Sequence, residues 1–177
     1  MKTNIRLEKV NWDNYYEVIK LKVTKQQKNF VAENKSSLAH AFLVSSNYNV
    51  PVYAFAICNN DKVVGFIQIC YDDNWTGYER ENWLNSEDYK KIEKTKYYAI
   101  WRFMIDKKYQ NRGYGRKAFE LVLNFIKSKP CGEAEYAMLS YETTNEVAKK
   151  LYESYGFKEV FTEYLEKDDE VTAILKL

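Results

Sequence analysis

The stretch from Tyr98 to Ile126, YAIWRFMIDKKYQNRGYGRKAFELVLNFI, limits the folds open to this chain more than any other. Tyr98–Ile105 carries two β-branched residues and three aromatics, a composition that favours a strand. Asp106–Gly115 is a basic turn with two glycines. After it, Ala118, Leu121, Val122, Phe125 and Ile126 follow the i, i+3, i+4, i+7, i+8 spacing of one buried helix face. A strand that runs through a tight turn into an amphipathic helix belongs to an α/β architecture.

The turn is the chemically loaded part. Gly113 and Gly115 flank Tyr114, with Gln110, Asn111 and Arg112 before them and Arg116 and Lys117 after. Glycine permits positive φ and close approach of a ligand to the backbone. A helix starting there directs unpaired N–H groups and the positive end of its dipole at that ligand, which suits a diphosphate. Arg112 and Arg116 would add charge-assisted bonds. The glycines alone fit a solvated basic turn equally well. A P-loop is excluded because G-x-x-x-x-G-K-[ST] is absent, and G-x-G-x-x-G fails at Ala118.

The order Gln110-Asn111-Arg112-Gly113-Tyr114-Gly115 matches Q/R-x-x-G-x-G/A. In this it resembles the acetyl-CoA pyrophosphate motif of the GCN5-related N-acetyltransferases, a resemblance extending over nearly the whole chain. A second signature supports it: SYETTNEVAKKLYESYGF, with an Asn at a helix start and Lys-Leu-Tyr-x-x-x-Gly-Phe at its end. The resemblance implies an acyl-CoA N-acyltransferase fold, with a mostly antiparallel mixed sheet splayed at its centre and helices on both faces. It implies acetyl-CoA as co-substrate, held by Phe103, Met104, Ile105, Gln110 to Arg116, Asn145 and Lys149. Backbone N–H groups of the central strand, at Met104 or a neighbour, would bind the thioester oxygen. Tyr152 would lie near the thioester sulfur, although its spacing alone reads as a core tyrosine.

The remaining chain orders itself around this unit. Ile5–Val10 reads as a strand. Asp13 caps a helix expected over 14–23, and Ser36 or Ser37 a second one to about Val44 that buries Leu38, Ala41 and Phe42. In relatives these two helices lie over the acceptor side, and NFVAENKSSLAHA resembles the matching stretch of bacterial polyamine acetyltransferases. Val52–Cys58 and Val63–Tyr71 form a hairpin about Asn59-Asn60-Asp61. Glu135–Tyr141 is a strand. Thr143 and Glu146 have capping-box spacing for a helix ended by Gly156. Phe157–Leu165 and Val171–Leu175 close as a hairpin turning at 167–169.

Between Asp72 and Asp88, six carboxylates stand against the one basic residue Arg80, together with Trp75, Tyr78 and Trp83. Carboxylates mixed with rings suit a polycationic amine; a solvated loop has the same charge pattern. Glu33, Trp75, Glu81 and Trp83 are the candidate acceptor contacts. An alkyl amine of pKa about 10.4 is unprotonated in roughly one molecule in 2,500 at pH 7, equivalent to about 4.6 kcal/mol. Glu33, Glu81 or Glu142 could relieve this, Glu142 being nearest the cofactor in sequence. The acceptor expected is a polyamine such as spermidine or spermine. Aminoglycosides, amino acids and protein N-termini are other acceptors of the superfamily, and a non-catalytic acyl-CoA sensor is an alternative.

Composition narrows the rest. The 177 residues fit one domain, and 46% hydrophobic content makes it globular. A net charge of +2 and the absence of a binding motif argue against nucleic acid. Three cysteines without C-x-x-C fit a cytoplasmic protein with free thiols, none of them a nucleophile. One histidine, His40, leaves no His-rich metal site, and it reads as a helix-side residue. No signal peptide or membrane span is expected. A homodimer is compatible with the closing hairpin and the aromatic content.

Overall fold

A computed structural model of the chain describes residues 3–71, 95–160 and 170–177. The acidic-aromatic stretch with Trp75, Glu81 and Trp83, and the expected turn at 167–169, lie outside the described residues.

The described strands form one sheet in the order β1-β2-β3-β4-β5-β7-β6. They are β1 Ile5–Lys9, β2 Val52–Asn59, β3 Lys62–Tyr71, β4 Tyr97–Ile105, β5 Tyr136–Glu142, β6 Lys158–Val160 and β7 Glu170–Lys176. Every pairing is antiparallel except β4 with β5. The predicted mostly antiparallel mixed sheet is therefore present.

Among the described residues four α-helices flank the sheet: α1 Tyr15–Val18, α2 Asn34–Tyr48, α3 Tyr114–Lys127 and α4 Glu146–Glu153. The largest core joins Ala118, Phe119, Val122 and Ile126 of α3 and Tyr152 of α4 to one face of β2–β5. On the other face, Val18 of α1 packs with Ala56, Phe66 and Met104, while Val44 of α2 packs with Cys70, Ala99 and Met138. Helices thus cover both faces, as the family resemblance implies.

Three expectations about the helices need correction. The helix expected over 14–23 is a single turn, Tyr15–Val18. Beyond it the backbone is drawn to the loop after β4: Lys22 N–H donates to Asp106 Oδ2 and Lys107 N–H to the Lys22 carbonyl. Tertiary bonding overrides local helix propensity there. Helix α2 starts at Asn34 rather than at Ser36 or Ser37, because Asn34 and Ser37 turn inward. Asn34 Nδ2 donates to the Val18 carbonyl, and Phe42, expected in the core, is 71% exposed. The N-cap of α4 is Asn145 and not Thr143: Asn145 Oδ1 accepts from Ala148 N–H at 3.2 Å.

Gly65 shows how closely β3 and β4 meet. A Cβ on it would lie 2.5 Å from the Met104 carbonyl oxygen and 2.8 Å from Ile105 Cδ1. Gly65→Ala is expected to lose about 1–3 kcal/mol, since the neighbour is backbone and must shift. Thermal denaturation would read this as about 2–4 °C per kcal/mol; an unchanged Tm would contradict it.

Candidate functional site

Strands β4 and β5 pair only from Tyr97↔Tyr136 to Ile100↔Leu139. Both continue, to Ile105 and Glu142, but they diverge. The cleft that opens between them, about 760 Å³, is lined by Trp101–Ile105, by Met138 and Ser140, and by Tyr152. At one end it reaches Gln110, Asn111 and Gly113–Gly115, and it also meets Asn29–Ala32.

Hydrogen-bond alternation fixes which backbone groups face this cleft. Asp106 N–H donates to the Val64 carbonyl. In an antiparallel ladder mutually bonded pairs alternate with unbonded ones, so Phe66/Met104 is a bonded pair and Ile67/Phe103 is not. Phe103 and Ile105 therefore turn their N–H and C=O groups toward the parted side, whereas Met104 spends its own on β3. The Ile105 carbonyl confirms the direction, for it accepts from Gln110 Nε2 at 2.9 Å. Of the predicted strand trio, Met104 contributes its side chain to the opposite layer, where Asn34 Nδ2 lies 3.9 Å from its sulfur.

The turn has the backbone its glycines suggest. Asn111 (φ 61°) and Gly113 (φ 75°) are left-handed, and Gly113 is the N-cap of α3. The first N–H groups of α3 have no acceptor within their own helix. Beyond Gly113 a Cβ would meet nothing within 4 Å, and at Gly115 it would make ordinary contacts with Ile105 and Phe103. Gln110 also donates to Gln27 Oε1 at 2.9 Å, tying the turn to the N-terminal segment. Arg112 and Arg116 are exposed. Arg112 Nη2 donates to the Lys108 carbonyl, and Arg116 Nη1 donates to Ser154 Oγ, each guanidinium 5.7 Å from a tyrosine ring centroid.

Tyr152 is 7% exposed and lines the cleft, its ring 5.1 Å from Phe119 and 5.5 Å from Tyr141. Burial pushes its pKa up, so the hydroxyl keeps its proton throughout the neutral range. No hydrogen bond holds that hydroxyl among the described residues. Tyr141 differs: its hydroxyl donates to Glu159 Oε1 at 2.6 Å. Glu159 also takes Lys149 Nζ at 2.9 Å, and both bonds hold its pKa below the usual carboxylate range.

The remaining predicted residues divide. Asn145 lines the cleft beside Val147, Ala148 and Leu151. Lys149 is turned to Glu159 and lies outside the cleft lining, as do Arg112 and Arg116. Glu33 sits at the exposed N-cap of α2 next to Ala32, and Glu142 pairs with Glu170 across β5 and β7; neither lines the cleft. Sequence reading missed Gln27, Arg102 and Glu170, which do. Arg102 had a signal, as a charge within the apolar run YYAIWRFMI. Gln27 had the Thr24-x-x-Gln27 box spacing. Glu170 had none.

The arrangement suits an elongated ligand with an anionic group at the Gly113 turn and a reactive end between β4 and Tyr152. The model of the Acetyltransferase (GNAT) family matches residues 12–157. Solved structures share the fold end to end. PH1933 from Pyrococcus horikoshii OT3 is 22% identical with TM-score 0.63, covering 99% of each chain. A GNAT-family acetyltransferase from Staphylococcus aureus Mu50 is 19% identical with TM-score 0.63, covering 98% of this chain and 99% of its own. PaiA N-acetyltransferase from Thermoplasma acidophilum, in complex with coenzyme A, is 14% identical with TM-score 0.61, covering 98% and 99%. No curated protein matches the sequence.

The two glycines should separate on substitution. Gly113→Ala puts a side chain at φ 75° and is expected to cost about 1–2 kcal/mol. The loss would be read as a lower Tm if the turn keeps its shape, or as weaker coenzyme A binding by calorimetry if it relaxes. Gly115→Ala, with its nearest neighbour at 3.7 Å, should leave stability within about 0.5 kcal/mol. Its effect on coenzyme A affinity then reports ligand proximity alone.

Proposed function

Since the chain belongs to the acetyltransferase (GNAT) family and is an N-acetyltransferase, we propose that it moves an acetyl group from acetyl-CoA directly to a primary amine in the β4–β5 cleft. The observation that carries this is the continuous path from the Gly113 turn, along the open edge of β4, to the buried Tyr152. Acetyl-CoA supplies an acyl thioester already activated toward amines. Gly113–Gly115 and the start of α3 suit its diphosphate, whose charge the helix N-terminus favours. The Phe103 and Ile105 N–H groups are the donors free to hold the thioester oxygen; the geometry favours them over Met104.

Tyr152 serves as the hydrogen-bond donor to the departing sulfur. A free thiol has pKa about 8.5 and a free tyrosine about 10, so full proton transfer is uphill by about 2 kcal/mol before burial is counted. The upward shift of Tyr152 adds to that gap. Its contribution is therefore a bond that strengthens as charge develops on sulfur, with the proton passing late. No covalent intermediate on the enzyme is needed, because holding both reactants in line removes much of the barrier. Burial pushes the Cys58 thiol up to about 11, away from the thiolate a nucleophile requires.

Two acceptor readings have support. The carboxylates and rings of 72–88 favour a polyamine held by that segment. Glu33, next to the lining residue Ala32, would add to it. Within the described cleft the charged lining is one guanidinium, Arg102, and one carboxylate, Glu170, which favours an acceptor that is not purely cationic. The proton acceptor for the amine is among Glu33, Glu81, Glu142 and Glu170, the last being the one that lines the cleft.

Tyr152→Phe is expected to lower turnover about 100-fold while leaving coenzyme A affinity within a factor of three, measured by thiol release and by calorimetry. Equal turnover would remove Tyr152 from the chemistry. Cys70→Ala and Cys131→Ala should retain activity; a folded but inactive variant of either would overturn direct transfer.

A further inference from the structure

We infer that Arg102 is a specificity-determining residue that takes a carboxylate on the acceptor, so that the acceptor is an amine bearing its own carboxylate and not a bare polycation. This rests on the acetyl-transfer reading and names the substrate class of that same cleft.

The position of Arg102 follows from an irregularity in the sheet. The β3–β4 register runs Gln68↔Arg102 and then Ile69↔Ile100, which leaves Trp101 as an extra residue on β4. A bulge of this kind re-aims side chains at the point where pairing changes. Gln68 lies between Phe66 and Cys70, both packed toward α1 and α2. Cross-strand partners share a face, so Arg102 is on the α1/α2 side as well. Trp101 joins it there, stacked on His40 of α2 at 5.3 Å. Glu170 alternates with Val171 and Ala173, which belong to the α3/α4-side core, and so lies on the same side as Arg102. Tyr152 belongs to the α3/α4-side core. Arg102 and Glu170 thus approach the parted strands from the side opposite Tyr152.

No carboxylate forms an ion pair with the guanidinium among the described residues. Its one hydrogen bond among the described residues is Nη1 to the neighbouring Trp101 carbonyl, at 2.7 Å. Its Nε is buried without a partner, and so is Oε1 of the register-paired Gln68. Glu170 acts on Arg102 through space without forming an ion pair among the described residues. Desolvation holds the Arg102 pKa below its ordinary value, yet an arginine stays charged in any protein. A partly buried cation with no bonded carboxylate is an unfavourable arrangement unless a ligand completes it. The natural complement is a carboxylate, which a guanidinium binds in a planar, often bidentate geometry.

The anionic groups of acetyl-CoA do not meet this need. The diphosphate suits the Gly113 turn, which follows Arg102 by three further residues of strand and then the loop from Asp106. Among the described residues no anion completes it, and a carboxylate on the acceptor would. Glu170 lines the same cleft and, though engaged in interactions of its own, adds a negative charge there. A zwitterion matches the pair, whereas a polyamine would bring a like charge against Arg102 in a partly desolvated site.

Matched acceptors test this. L-Lysine would be compared with cadaverine, L-ornithine with putrescine, and L-phenylalanine with phenethylamine, each pair differing by one carboxylate, with spermidine alongside. Thiol release from acetyl-CoA gives kcat/KM, and calorimetry of each acceptor into the coenzyme A-bound protein gives affinity apart from turnover. At least tenfold preference for the carboxylated member of a pair is expected. Arg102→Gln should bring that preference close to one, by raising acceptor KM with little change in the KM for acetyl-CoA. Arg102→Lys should restore part of it. Preference for cadaverine, putrescine or spermidine in the unaltered enzyme would overturn the inference, as would a preference that survives in Arg102→Gln. Tight binding of the carboxylated member without turnover of any amine would keep the Arg102 assignment and defeat the acetyl-transfer reading.

Discussion

The parting of β4 from β5 after Ile100 and Leu139 is the constraint on which the molecule turns. Inside a sheet every backbone N–H and C=O has a ladder partner, and a buried group left without one is unfavourable by about 1–3 kcal/mol. Here the open edge of β4 begins one residue after the last paired position. Part of it is satisfied internally, by Gln110 on the Ile105 carbonyl. The rest forms a ready surface for an extended ligand with amide groups of its own. The sheet tolerates the gap because β4 is paired with β3 on its other side from Tyr98 to Ile105, apart from the bulge at Trp101, and β5 is paired with β7 throughout.

A second constraint follows. The segment beyond α1 cannot be left loose, since it forms one wall of the cleft. It is fixed at three points: Lys22 N–H on Asp106, Gln27 on Gln110, and Asn34 on the Val18 carbonyl. Two of these anchors belong to the loop between β4 and α3, which also shapes the turn at Gly113. The buried Asp106 is bound on both oxygens, by Lys22 and Lys108 N–H. The cleft wall at 29–32 and the turn at Gly113 are thereby built on the same loop, and a shift in one is transmitted to the other through short hydrogen bonds.

Much of this could be read from the chain. The hairpin, the β4–turn–α3 unit and the closing strand β7 have strong local patterns, and their expected bounds differ from the structure by one or two residues. The turn at Gly113 was legible as a glycine-bearing turn before a helix, whereas Tyr152 by spacing alone reads as a core tyrosine and was singled out only by the family resemblance. What stayed hidden depends on tertiary contacts. The single-turn α1 reads as a longer helix because nothing near Lys22 in sequence announces Asp106, 84 residues away. Phe42 reads as core because its spacing fits a helix face, but the inward side of α2 is led by Asn34 and Ser37, polar residues bonded to backbone carbonyls. The second signature put Asn145 at the helix start while the Thr143/Glu146 spacing suggested a cap two residues earlier, and the bond from Ala148 N–H decides for Asn145. Met104 and Phe103 could not be told apart without the ladder alternation, because a one-residue change of phase exchanges the two edges of a strand.

The division of labour across the sheet is the deeper consequence of the split. An amine must arrive without its proton and leave with an acyl group, while a sulfur must gain a proton. Groups suited to these tasks interfere if mixed: a carboxylate beside Tyr152 would further disfavour ionisation and draw its hydrogen bond away from the sulfur. Tyr141 illustrates this, because Glu159 already claims its hydroxyl. Tyr152 instead sits among Phe119, Phe157 and Tyr141, where its neighbours offer rings and its hydroxyl stays available. The charged pair Arg102 and Glu170 lies on the opposite side of the parted strands. The sheet itself separates the apolar half of the cleft, where proton donation is proposed, from the polar half that carries Arg102 and Glu170. The bulge at Trp101 is what brings the second half to the edge of the first.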